Sequence, residues 1–332
     1  MAAIYITEPG CVVGISNRQI VVTKNKIKQL QEPLIKIDRL VLIGNIQITA
    51  QAVGVLMEEG IDVSYLSRSG RLRAKLLPVE SKNVFLRVAQ YERYLDDEFQ
   101  TRMATILVEG KIHNACALIR RYMHNYPDMN FESELQSIAK SLDKLQTFHS
   151  VDEIMGVEGI STAIYFRTFG KMFRGNLTFE KRTRRPPKDP VNAILSFGYT
   201  LLTNELFSLI TAHGLDPYIG FLHGLSYGRP SLALDLVEEF RQPFIDRFTL
   251  SLFNNDVLTE EDFVPVENKG IYLTDDARKR FFEHYERRIN ESFTLPNTDT
   301  ETTFRKQFRT QVVRMAQAIQ QKKTYQPFRI YE

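Results

Sequence analysis

At 332 residues the chain exceeds the ~100 to 200 residues that one domain usually holds, so two domains are expected. Charged residues at 25% and apolar residues at 43%, with no low-complexity tract, exclude a disordered or fibrous chain. A net charge of +3 is too small to mark a polyanion binder by itself, and two distant cysteines, Cys11 and Cys116, argue against a disulfide framework or a cysteine-based zinc site.

The start, MAAIYITEPG, meets Glu8 and Pro9 before any long apolar run, which argues against a secretory signal. No apolar run reads as long enough to span a bilayer, so a cytoplasmic protein without membrane contact is expected. Up to about residue 76 the chain has the marks of strands: AIYIT, CVVGIS, QIVVTK, LIKIDRLVLIG, DVSYLS and RLRAKLL are short, rich in Val, Ile, Tyr and Leu, and separated by turn residues. TAQAVGVLMEEG alone interrupts with helical spacing, Ala50, Val53, Leu56 and Met57 on one face. After Pro78 the period becomes 3.6, first in NVFLRVAQYERYLDDEF, where Val84, Val88, Tyr91 and Leu95 share a face, and most of the remainder keeps it. These periods predict an α+β fold, a small β-rich domain over 1–82 followed by a larger all-helical domain over 83–332.

Within the helical half, GVEGISTAIYFRTFGKMFRG sets Glu158 between Gly156 and Gly159 at the head of a predicted helix. A helix-interior glycine costs ~1 kcal/mol against alanine, so the pair marks a helix start or admits a close neighbour, for instance a helix packed on Gly159 and Ala163. From Arg167 to Lys188 eight basic residues face one acid, Glu180. The three prolines of RTRRPPKDP break any helix there, and Asn192 then stands as the N-cap of AILSFGYTLLTNELFSLI. The glycine-rich loop GLDPYIGFLHGLSYGRPS carries His223. The next helix, PSLALDLVEEFRQPFID, places Leu232, Ala233, Leu236, Val237 and Phe240 on one face and Asp235, Glu238 and Glu239 on the other.

An amphipathic helix that shows its acids to water accounts for that pattern, and a lone Glu158 is equally well explained as solvated. Taken together, one glutamate, one histidine and an acidic pair at i and i+3 offer oxygen and nitrogen ligands suited to Mg²⁺ or Mn²⁺. Spacing alone does not join them, because Glu158 and His223 are 65 residues apart. The Walker, GxGxxG, GxSxG and HExxH patterns are absent from the sequence.

In succession, GVEGISTAIYF, RRPPKDPVNAILSFGYTLL and GLDPYIGFLHGLSYGRPSLALDLVEEFRQPFID resemble the CRISPR-associated integrase-endonuclease family, the larger and catalytic protein of the adaptation module. The resemblance covers nearly the whole chain. It implies a DNA endonuclease and integrase dependent on Mg²⁺ or Mn²⁺ that inserts short foreign DNA into a CRISPR array by attack of a DNA 3′-hydroxyl on a repeat phosphodiester. It further implies metal ligands at Glu158, His223 and Glu238, and an additional acid near the metal at Asp235, while which of Asp235, Glu238 and Glu239 touches the ion stays open. Arg229 and Arg241 match basic positions of the family, and the proline-bounded Arg182, Arg184 and Arg185 are the other candidate contacts to DNA phosphates. Asn192 is placed near the active site. The resemblance also implies that residues 1–82 mediate a homodimer, that residues 83–332 are catalytic, and that the partners are double-stranded DNA and a second, smaller adaptation protein. Two alternatives stand beside this reading, a metal-dependent repair nuclease for branched DNA and a non-catalytic DNA-binding scaffold with solvated acids. A tyrosine nucleophile at Tyr165 and the order of the tail QQKKTYQPFRIYE stay open.

Overall fold

The computed structural model describes residues 2–68, 70–78, 83–145, 147–174, 177–184, 186–266, 270–295 and 299–330. The chain divides into two compact units, Met1–Ser81 with Leu273–Arg287, and Lys82–Tyr272 with Arg288–Glu332.

The first unit opens with β1 (Ala2–Ile6), β2 (Val12–Ser16), β3 (Gln19–Lys24), β4 (Ile27–Pro33), β5 (Ile37–Ile43), β6 (Gln47–Ile48), α1 (Ala50–Glu58), β7 (Asp62–Leu66) and β8 (Leu72–Leu76). Two four-stranded sheets form, in the orders β1-β5-β7-β8 and β4-β3-β2-β6. Strands β1, β5 and β7 run parallel, and β8 returns antiparallel to β7. In the other sheet β2, β3 and β4 form an antiparallel meander. Its two turns carry Asn17-Arg18 and Asn25-Lys26, all at positive φ, the twist that tight two-residue hairpins require. One core joins the sheets and α1 through Val13, Ile20, Leu40, Leu42, Leu56 and Val63. At about 1.5–3 kcal/mol for each fully buried aliphatic side chain, these residues are the principal stabilisation of the unit. Strand β4 escapes the sequence reading because its residues are mostly exposed and polar, so no alternation marks it.

The second unit carries α2 (Val84–Tyr94), α3 (Asp97–Asn125), α4 (Glu132–Leu145), α5 (Val151–Gly170), α6 (Pro190–His213), α7 (Ser231–Glu238), a π-helical turn (Arg241–Asp246) and α8 (Arg247–Asn254). It continues through β9 (Phe263–Val266), β10 (Gly270–Leu273), α9 (Asp275–Asn290), β11 (Phe293–Thr294), β12 (Glu301–Thr302) and α10 (Phe304–Ile319). It is predominantly helical but not all-helical, since β9 pairs with β10 and β11 with β12. Most of α9 belongs to the first unit, where Phe282 stacks on Tyr5 with ring centroids 4.2 Å apart and Glu286 accepts from the Tyr5 hydroxyl at 2.8 Å.

Several expectations change with packing. The stripe Val84, Val88, Tyr91 and Leu95 is exposed, whereas Leu86 and Gln90 are the buried residues of α2. Helical period identifies a face but not what covers it. Helix α6 does reach the length and mean hydropathy, 1.3, of a membrane span, contrary to expectation, yet 72% of that window is buried inside the protein. Its N-cap is Asp189, with Pro190 in the first turn, so Asn192 lies inside the helix and not at its cap. The described part of the tail packs on the body: Tyr325 and Phe328 are buried, and Asn114 of α3 bonds both the Phe328 carbonyl and the Ile330 amide. Gly110 permits that docking, because a Cβ there would lie 2.8 Å from Pro327. Cys11 and Cys116 are free and buried.

Candidate active site

Helix α5 starts at Val151 behind the N-cap Ser150, so Gly156 and Gly159 lie within it and do not mark its start. Both are exposed, and a Cβ added at either meets nothing within 4 Å. Close helix packing through Gly159 is therefore overturned. The surface beside Glu158 is open.

Glu158 points instead at a residue the sequence reading missed. The ammonium of Lys111, in the middle of α3, contacts Glu158 Oε1 and lies 2.7 Å from Glu238 Oε2. Glu238 Oε1 faces the Arg241 guanidinium at 3.2 Å. Lys111 and Glu238 are each 3% exposed. A signal for Lys111 exists in the sequence: Ala104, Leu107, Val108, Ala115, Leu118 and Ile119 make a buried apolar stripe, and Lys111 interrupts it at a core position. Burial pushes the Glu238 carboxyl up, but Arg241, Lys111 and His223 outweigh it and hold the group at about 2.

The three acids of α7 and its end, which a surface amphipathic helix would show to water, are all buried. They turn to three different tasks. Asp235 accepts the backbone N–H groups of Phe221 at 2.6 Å, Leu222 at 3.0 Å and His223 at 2.9 Å, and its Oδ1 lies 2.7 Å from His223 Nδ1. It thereby folds the glycine-rich loop onto the start of α7. Gly220 is the steric condition for this, since a Cβ there would stand 2.6 Å from Asp235 Oδ2 and 2.7 Å from the Ser231 backbone. Glu239 faces away from the cluster and receives the Phe328 amide at 2.6 Å, the Gln311 amide at 2.5 Å and the Tyr325 hydroxyl. Glu238 alone of the three meets Lys111.

For His223, burial lowers the pKa, but the hydrogen bond and charge of Asp235, with Glu238 adding to them, raise it above the ordinary value. With Nδ1 held by a carboxylate, the other ring nitrogen, Nε2, is the one free to accept when the ring is neutral, the tautomer a metal-binding imidazole uses. Among the described residues no closed group of three or more His, Cys, Asp or Glu side chains forms a metal cluster. The donor set nevertheless fits a hard divalent cation: two carboxylates meet around a buried ammonium, and Glu238 Oε2 has no hydrogen bond of good geometry.

The π-helical turn reaches the cluster through Arg241, which pairs with Glu238. Pro243 lies within it, and it carries Arg241 at one end and Asp246 at the other. Arg241 is buried with its guanidinium 4.7 Å from the Tyr199 ring centroid, so it is a support for Glu238 and not a surface contact. Asp246 accepts the hydroxyls of Tyr165, at 2.7 Å, and Tyr199. Tyr165 is 1% exposed, which leaves its hydroxyl a structural donor and not a nucleophile. Burial pushes Asp246 up to about 6, against those two hydroxyls and the charges of Arg241 and Arg182. A raised acid binds its proton more readily folded than unfolded, so its contribution is fully present below its ordinary value of 3.8 and declines as pH rises to 6. Asp246→Asn is expected to remove that decline, roughly 3 kcal/mol in all. Urea unfolding at pH 4, 5, 6 and 7 checks it, and an unchanged pH profile would count against the assignment.

Of the basic candidates, Arg182 is pinned, donating to Asn192 Oδ1 at 2.7 Å and Ser196 Oγ at 3.0 Å. Asn192 in turn holds the start of the basic loop, accepting Thr183 N–H at 2.8 Å and donating to the Lys181 carbonyl at 2.9 Å. Arg229 is half-buried and donates to the Gly224 carbonyl. Arg184 is exposed, as are Lys181 and Lys188, while Arg185 lies outside the described residues.

A profile of the family described as CRISPR associated protein Cas1 matches residues 4–287. The chain is similar to the CRISPR-associated endonuclease Cas1 3 of Thermus thermophilus, 36% identical over 292 residues that cover 88% of this chain and 84% of the relative. Among solved structures it is similar to a casposase bound to integration product, with a TM-score of 0.88 at 26% identity, covering 100% of this chain and 95% of the other. A chain of a Cas6-RT-Cas1–Cas2 complex has the same fold, with a TM-score of 0.85 at 22% identity over 99% of this chain and 36% of that one.

Proposed function

Because the chain belongs to the Cas1 family of CRISPR-associated proteins, we propose that it is a divalent-metal-dependent integrase and endonuclease that inserts short foreign DNA into a CRISPR array. The observation that carries the reading is the meeting of Glu158 from α5 and Glu238 from α7 about one buried cation, with the Asp235-bound His223 beside Glu238. Mg²⁺ or Mn²⁺ held by Glu158, Glu238 and His223 would lower the pKa of the attacking oxygen and offset charge on the scissile phosphate. Asp235 keeps the His223 ring in one orientation and tautomer, and Arg241 keeps Glu238 ionised and pointed inward. Exposed Arg184 and half-buried Arg229 are the arginines best suited to meet DNA phosphates, whereas half-buried Arg182 is committed to Asn192 and Ser196 and buried Arg241 to Glu238.

A non-catalytic scaffold needs solvated acids, and burial of Asp235 and Glu238 removes its premise. The proposal includes a homodimer, as the family resemblance implies, and a second, Cas2-type partner; the likeness to a chain of a Cas6-RT-Cas1–Cas2 complex supports the Cas2-type partner, and that to a casposase bound to integration product supports DNA. A cytoplasmic location is part of the same proposal, because the CRISPR array it would act on is cellular DNA.

The test is strand transfer with Mn²⁺ or Mg²⁺, a short duplex bearing 3′-hydroxyl ends and a supercoiled repeat plasmid. Joining is expected to require the metal and to fall more than ~100-fold in His223→Ala, beyond the effect of losing an outer-shell partner alone. Wild-type joining by that variant would refute the site. Metal-dependent cutting of branched DNA without joining would favour the repair nuclease.

A further inference from the structure

We propose that Lys111 is a built-in counter-cation of the metal-free site, holding Glu158 and Glu238 together until a divalent ion displaces its ammonium. This rests on the metal-dependent reading above and adds a competition to it.

The geometry gives the reason. Lys111 is buried in the body of α3, and its Nζ lies against one carboxylate from α5 and another from the end of α7. With Arg241 on the remaining Glu238 oxygen, two positive and two negative charges balance in the absence of metal. Without that ammonium, two carboxylates would face each other, one of them 4% exposed, and like charges in so dry a place repel strongly. A divalent ion between the same oxygens would place four positive charges against two negative ones. The ammonium therefore has to leave as the metal enters.

Lysine suits that exchange, since its charge is compact and its four-carbon stem turns freely. Arg241 does not suit it, because its guanidinium lies on the Tyr199 ring and close to Asp246. Coupling of this kind is reciprocal: whatever stabilises the metal-free cluster weakens metal binding by the same factor. Lys111 thus keeps the site folded and assembled before metal arrives, and it sets how much metal is needed.

The experiment measures Mn²⁺ binding by calorimetry, and Tm in EDTA and in Mn²⁺, for the full-length wild type, Lys111→Met and Lys111→Gln. Both variants are expected to bind Mn²⁺ roughly 10- to 100-fold more tightly, in the range usual for coupled sites. Both are also expected to melt several degrees lower in EDTA and to gain more Tm from Mn²⁺ than the wild type does. Equal or weaker binding by the variants, with the wild type still binding, would overturn the role of Lys111 and leave the metal-dependent reading standing. Absence of Mn²⁺ binding by the wild type would overturn that reading instead. Should both variants fail to fold, a crystal structure of the wild type with Mn²⁺ decides: Lys111 Nζ withdrawn from both carboxylates supports the displacement, and an intact bridge refutes it.

Discussion

Glu238→Gln is expected to abolish strand transfer and to lower folding stability by about 3–5 kcal/mol, the range for breaking a buried ion pair. His223→Ala should lose the same activity at nearly unchanged stability, because its ring is partly exposed and its main bond is to Asp235. The difference comes from burial. Glu238 is the counter-charge of both Lys111 and Arg241, and its removal leaves two buried cations, Lys111 with Glu158 still on it and Arg241 with Asp246 as its stronger remaining carboxylate. The pH dependence has a defined sign. A carboxyl lowered from 4.5 to about 2 contributes stability that is complete above 4.5 and is lost as pH falls towards 2. That acid limb should be weaker in Glu238→Gln. Denaturant unfolding from pH 3 to 7, run beside the joining assay, measures both effects. Wild-type stability in the variant would show that the cluster is not an energetic unit.

Asp235→Ala is expected to reduce joining by ~100-fold or more and to destabilise the protein by about 3 kcal/mol, since three backbone N–H groups lose their acceptor at once. The residue acts through the loop and the imidazole and is a positioning group. Mn²⁺ affinity should accordingly fall by ~10- to 100-fold without vanishing, as for a partner of a metal-bound histidine. Asp235→Asn separates the two duties: it keeps one oxygen for the backbone donors but presents an amide where the Nδ1–H needs an acceptor. Stability should recover more than metal affinity does. Complete loss of Mn²⁺ binding in Asp235→Asn, with a native Tm, would instead make Asp235 a direct ligand.

Much of this protein is legible in its residues. Short runs rich in Val, Ile and Leu between turn residues mark most strands of the first unit, because such side chains suit a pleated, buried surface. Period 3.6 marks the long helices, and the family resemblance carried by three motifs in order points to Glu158, His223, Asp235 and Glu238 as candidates. What the residues do not disclose is what each face meets. On a helix at 100° per residue Asp235, Glu238 and Glu239 share one side, a pattern that is the same for a solvated helix and for one enclosed by the protein. Only the packing of α3, the glycine-rich loop and the returning tail assigns one acid to Lys111, one to His223 and its loop, and one to Phe328. Lys111 and Glu158 are 47 residues apart, and nothing in either segment specifies that they touch. Local pattern determined the elements, since backbone geometry and side-chain spacing are local. The tertiary structure alone decided the charge arrangement, because a buried charge is tolerated only where distant segments bring its partners to it.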